Sequence, residues 1–152
     1  MECSHSMTSW RTIRRGLAVF WLGIAAPLSA AEPELVMVAS EKSAIQVVSA
    51  NEARKIFLGV PVLIAGREIV PVRNNTSALV HEIFLQKVVF MSAPAYERRM
   101  VAKHYRDGGD RLQAIEDHQQ LVDALLADSS RISYMLREAI AATPRLKIVG
   151  EP

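Results

Sequence analysis

LVMVASEKSAIQVVSANEARKIFLG, residues 35–59, decides the first half of the fold. Its opening six residues, Leu35 to Ser40, form a continuous apolar run of strand length, without the polar alternation of a half-exposed strand. That pattern predicts a strand buried on both faces. Ser49 followed three residues later by Glu52 is a capping box, in which each residue satisfies a free amide of the other at a helix start. The helix it opens carries Ala53, Ile56 and Phe57 on one side, and Gly59 ends it.

Downstream of this unit, apolar runs at 62–64 and 69–72 flank Ala65 and Gly66, which predicts a hairpin or two short strands. Asn75, Thr76 and Ser77 are three successive N-cap candidates ahead of a helix bearing Leu79, Val80, Ile83, Phe84 and Val88. Ser92 before Pro94 opens another helix, with Tyr96, Met100 and Val101 facing inward, and Gly108 and Gly109 break the chain. Asp117 caps a further helix that buries Leu121, Val122, Leu125 and Leu126. Residues 132–135 and 146–149 are the last strand candidates, with a segment of helical composition, 136–142, between them. Strands and helices alternate for most of the length, so the fold class is α/β, with a mixed sheet flanked by helices.

Upstream, the order changes character. A basic stretch with Arg11, Arg14 and Arg15 precedes an apolar run at 17–28 and the small residues Ser29, Ala30 and Ala31. This is the pattern of a cleaved secretory signal peptide, residues 1–31. The run is shorter than the roughly 20 residues a membrane-crossing helix needs. The Arg14–Arg15 pair lacks the flanking residues of a twin-arginine signal, so the general secretion route is expected. The reading places a single domain, residues 32–152, in the periplasm. Removing Arg11, Arg14, Arg15 and Glu2 leaves fifteen basic and fifteen acidic residues. A formally neutral domain gives no footing for a nucleic-acid partner.

The one cysteine, Cys3, lies in the signal segment, which excludes disulfides and thiol catalysis in the domain. His81, His104 and His118 form no short-spaced pair, so no metal is expected. There is no Gly-x-Ser-x-Gly elbow and no glycine-rich nucleotide loop, so neither an enzyme nor a cofactor is expected. The run Glu97, Arg98, Arg99, Lys103 and Arg106 reads as a solvated helix face with a docking surface as the alternative.

Several separated pieces, in order, resemble the phosphate-binding type of periplasmic substrate-binding protein. They are the strand Leu35 to Ser40, the Ser49–Glu52 box, Ile56-Phe57-Leu58-Gly59, Ile69-Val70-Pro71-Val72, the polar loop 73–77 leading to Phe84, and Ile132-Ser133-Tyr134. In the family the last element is Ile-Gly-Tyr. The resemblance implies a non-enzymatic solute-binding protein taking phosphate or another small anion and working with an ABC transporter. It also implies that Tyr96 and Tyr134 are core residues. Family members have two lobes, whereas about 120 residues suffice for a single periplasmic-binding-protein-like lobe.

The family holds its anion with an arginine and a Ser-Gly-Thr turn at a helix start, where free amides and the helix dipole attract negative charge. Arg73 can take the arginine's place, but no glycine stands among residues 74–78. The candidate anion site is therefore Arg73, Asn75, Thr76 and Ser77, weaker than the family's. The alternative has Thr76 or Ser77 simply cap its own helix with Arg73 solvated, and makes the domain a ligand-free interaction module that contacts an envelope protein. A homodimer would let a second copy supply the other wall of the cleft.

Overall fold

The computed structural model describes residues 32–108 and 111–152; the proposed signal segment, with Cys3, and Gly109 lie outside the described residues. The first strand, β1 (Leu35–Ser40), is buried at all six positions. Helices cover both of its faces. Leu35, Met37 and Ala39 face one apolar cluster, and Val36 and Val38 face another.

Helix α1 (Ala50–Phe57) starts with the expected capping box, Ser49 and Glu52 each bonding the other's backbone, and buries Ala53, Ile56 and Phe57. It ends in a Schellman arrangement: the Gly59 amide donates to Ile56 O at 2.9 Å and the Val60 amide to Lys55 O at 2.9 Å. Gly59 sits at φ +75°, a conformation glycine adopts without strain.

The chain then forms a tight hairpin, β2 (Leu63–Ile64) and β3 (Arg67–Glu68), turning through Ala65 and Gly66, both at positive φ. The turn is where the sequence places it, but its second strand is not 69–72. A two-residue turn fixes the register to the very next residues. Of the 69–72 run, Ile69 still donates to Val62 O at 3.0 Å, and the rest joins the main sheet instead.

That main sheet contains β4 (Val70–Pro71), β7 (Arg131–Leu136), β1 and β8 (Leu146–Gly150), in that order. β1 is antiparallel to both of its neighbours, and β4 is parallel to β7. A separate parallel pair joins β5 (Arg73–Asn74) to β6 (Ala114–Ile115). The amides of residues 70–75 show how the two sheets are spliced. Val70 donates to Ser130 O just before β7 and Val72 to Ile132 O within it, while Arg73 and Asn75 donate outward to Gln113 O and Ile115 O. At Asn74 the backbone leaves β7, and the side-chain amide takes its place, donating to Tyr134 O at 2.8 Å.

Helix α2 (Ala78–Phe84) runs without interruption into a π-helical segment, Leu85–Val89. The wider π turn rotates the following residues, so Leu85, Val88 and Val89 all become buried with Val80, Ile83 and Phe84. Leu79, expected to face inward, is half exposed. Helix α3 (Ala93–Asp107) has Pro94 in its first turn and Gly108 as a left-handed cap. Only Tyr96 of its fifteen residues is fully buried, and Val101 faces solvent, contrary to the expected inward position.

Helix α4 (His118–Ala127) is capped by Asp117 and covers the second face of the sheet through Leu121, Val122 and Leu125; Leu126 is only partly buried. The short α5 (Arg137–Ile140) leads to β8. The result is the expected mixed sheet flanked by helices. At the centre of the α1–α3 side four rings meet: Phe84 stacks on Tyr134 at 4.1 Å and meets Phe57 and Tyr96 edge-on at 5.2 and 5.6 Å. The Tyr96 hydroxyl donates to Phe57 O at 2.9 Å, tying α3 to the end of α1.

Candidate functional site

In an extended strand, residues two apart share a face, so Ile69, Pro71, Arg73 and Asn75 point toward the α2–α3 side. Arg73 reaches α3, where its Nη1 donates to Glu97 Oε1 at 2.5 Å and the guanidinium lies 5.7 Å from the centre of the Tyr96 ring. Its side chain is 13% exposed. Burying a guanidinium this far requires a partner, and Glu97 supplies the opposite charge.

The other predicted residues are arranged by Asn74. The Asn74 Oδ1 accepts from both the Thr76 amide at 3.0 Å and the Thr76 hydroxyl at 2.7 Å, forming an Asx turn that lifts the chain into α2. Ser77 occupies the N-cap position in extended conformation, but its side chain makes no capping bond. The structure therefore puts Arg73 and Asn75 on one strand face, turns Thr76 back to Asn74, and leaves Ser77 exposed at the helix start. Thr76 and Ser77 do not share in the contacts of Arg73.

Two residues that nothing in the sequence pattern assigns to this site complete the arrangement. Glu97 is the counter-ion of Arg73, twenty-four positions along the chain. His81, one turn into α2, stacks on Phe84 at 6.1 Å and sits within the field of Arg73 and Glu97. Burial lowers the His81 pKa below the ordinary imidazole value; Arg73 lowers it further, and Glu97 partly opposes both. Arg73 Nε, Asn75 Oδ1 and His81 Nδ1 are all buried atoms with no protein hydrogen-bond partner. Groups of this kind are few in native folds and call for a partner outside the chain.

The His81 shift sets a pH dependence. A histidine with a depressed folded pKa binds its proton more readily in the unfolded chain, so its contribution is present above about pH 6.5 and is lost as pH falls through the lower folded value. Chemical denaturation followed by circular dichroism is expected to show stability falling below about pH 6.5. His81→Gln should flatten that part of the profile, and an unchanged slope in the variant would rule His81 out as its source.

Among the described residues no helix is long and apolar enough to cross a membrane, and no cluster of His, Cys, Asp and Glu could hold a metal ion. His118 stands at the first turn of α4 and His104 on α3, each on a different element from His81.

A cavity of about 270 Å³ adjoins Arg73, between the end of α1, the β3–β4 strands and α3. Its walls include Ile56, Ile69, Pro71 and Met100, with Glu97 and Lys103 at its edge.

No family model and no curated protein sequence matches the chain. Its fold, however, is similar to solved structures. One is an ABC-type phosphate transport receptor from Vibrio cholerae (TM-score 0.52, 8% identity, 77% of this chain and 45% of that one). A second is a possible phosphate binding protein from Planctomyces limnophilus DSM 3776 (TM-score 0.52, 13% identity, 79% and 45%). A third is PstS from Borrelia burgdorferi (TM-score 0.53, 13% identity, 78% and 47%). The chain spans less than half the length of each of these proteins.

Proposed function

We propose that this chain is a periplasmic, non-enzymatic solute-binding lobe, exported by residues 1–31, that takes phosphate or a similar small anion at the head of α2 and serves an ABC-type phosphate transporter. The observation that carries the reading is local: Arg73 and Asn75, two positions apart at the head of α2, each keep a buried polar atom unmet by the protein, in a fold common to phosphate receptors. Ser77 leaves its hydroxyl uncommitted beside the first-turn amides, where the helix dipole favours an anion.

Affinity is expected to be low, about millimolar, because one wall leaves the rest of the ion in water and Glu97 already neutralises Arg73. Titration calorimetry of the protein with phosphate, sulfate and a neutral sugar tests this. Phosphate should give saturable heat and the sugar none. Glu97→Gln should tighten phosphate binding several-fold by releasing Arg73, and Arg73→Met should abolish it. Absence of heat at about 10 mM phosphate in both the native chain and Glu97→Gln would remove the anion reading.

The Arg73–Glu97 pair also favours a second reading, in which the site is already closed by its own counter-ion and the lobe contacts an envelope protein without ligand. Capture of one specific envelope partner, unaffected by phosphate and by Arg73→Met, would support that alternative.

A further inference from the structure

Beyond Tyr96, α3 has no fully buried residue, although Met100 still packs on the core, and between this helix and the end of α1 lies a groove with two recesses. The first is the 270 Å³ cavity on Arg73; the second, about 330 Å³, lies between Leu58, Pro61, Arg99 and Arg106. They meet at Gly59, Val60, Pro61, Lys103 and Asp107. The Lys103 stem is laid directly over Gly59, where a Cβ would run into its Cδ and Cε. Its ammonium is held by Asp107 at 2.6 Å.

The two ends of the groove differ chemically. The first recess has an apolar lining of Ile56, Ile69, Pro71 and Met100, with Val101 at its lip. Around both recesses together stand five cations, Arg73, Arg99, Lys103, Arg106 and Arg111, against three carboxylates, Glu68, Glu97 and Asp107. Arg99 has no ion-pair partner among the described residues. A bare inorganic anion would leave the apolar lining wet, and a neutral apolar molecule would leave the excess positive charge unmatched.

We propose that this groove binds an organic anion with an apolar body, of which a medium-chain carboxylate is the simplest member. Its chain lies against Ile56, Ile69 and Met100 in the first recess, and its carboxylate meets Lys103 at the junction and Arg99 just beyond it in the second recess. One recess, about 270 Å³, falls just below the range of small-molecule sites, about 300–1,000 Å³, and the other, about 330 Å³, at its lower end. This site is centred away from the head of α2, sharing the Arg73–Glu97 pair with it, and does not require phosphate binding there.

The test is an NMR titration of the protein with octanoate, with octanol and inorganic phosphate run in parallel. Octanoate is expected to give saturable shifts at Gly59, Val60, Met100 and Val101. Octanol should bind at least about threefold more weakly, and phosphate should leave these signals unmoved. Lys103→Met, which keeps the stem over Gly59, should weaken octanoate about threefold to fivefold with little effect on octanol. Val101→Glu, at an exposed position, should weaken octanoate without unfolding the chain. The proposal is overturned if octanoate fails to saturate by about 10 mM, if octanol binds equally well, or if phosphate moves the same signals. Phosphate shifts confined to residues 75–78 would support the anion reading while leaving the groove to be judged by octanoate alone.

Discussion

Phe84→Ala is expected to cost about 3–5 kcal/mol of folding stability and to lower the melting temperature by roughly 10–20 °C. Phe84 has no exposed surface and, besides His81 of its own helix, touches three rings, those of Phe57, Tyr96 and Tyr134. Those rings come from α1, α3 and β7, so the benzyl group joins two helices and the sheet to α2. Its removal leaves a cavity that rigid neighbours from four elements cannot easily collapse into, and it deletes edge and stacking contacts worth about 0.5–1.5 kcal/mol each. A domain of this size has about 5–15 kcal/mol in total, so the variant should keep its fold at low temperature with a sharply reduced urea midpoint. Tyr134→Phe is the control. The Tyr134 hydroxyl is buried without a partner, so its deletion removes a desolvation cost and should leave stability unchanged or slightly raised. Circular dichroism during urea and thermal unfolding measures both; a loss below about 1 kcal/mol in Phe84→Ala would mean the ring is not part of the core.

The aromatic centre and the elements around it were readable because their signals are local. An uninterrupted apolar run can be satisfied only by burial on both faces, which is how β1 shows itself in Leu35 to Ser40. The Ser49–Glu52 box, Ser92 with Pro94, and Asp117 mark helix starts by short-range hydrogen bonding or fixed φ, and each opens a helix where expected. The departures arise where a distant partner decides. The π turn at Leu85–Val89 is not a property of those residues' spacing; it brings Leu85 and Val89 to the core while Leu79 stays outside. β6 is two residues long, too short for any period to register. The site shows the same division. Arg73 and the polar loop stand out in sequence, whereas Glu97 is twenty-four residues from Arg73 and sits in a charged run that looks like any solvated helix face. Arg73 alone carries no local sign of that partner, because a lone arginine in a polar loop reads equally well as an anion ligand or as a solvated side chain.

Asn74→Ala is the second large effect, and it bears on function because Asn74 is where sheet and loop are joined. The residue is 2% exposed and both ends of its side-chain amide are engaged: Nδ2 replaces a missing backbone donor at Tyr134 O, and Oδ1 holds Thr76 through two bonds. Alanine leaves the Tyr134 carbonyl buried and unpaired and frees the loop before α2, at an expected cost of about 2–4 kcal/mol. Any phosphate affinity should fall further than stability alone explains, since residues 75–77 lose their fixed conformation. Asn74→Asp separates the two roles. It keeps the acceptor for Thr76 but aims a second oxygen at the Tyr134 carbonyl, so the carboxyl is favoured in its protonated, donating form and its folded pKa is raised. A raised pKa contributes stability that is present at pH below about 4 and is lost as pH rises through the folded value. Asn74→Asp should therefore be closest to the native protein in acid and fall behind it toward pH 7, opposite in sign to the His81 dependence. Parallel urea titrations across that range would decide the matter: a constant difference between Asn74→Asp and the native chain would show that Nδ2 is not the donor that closes the ladder.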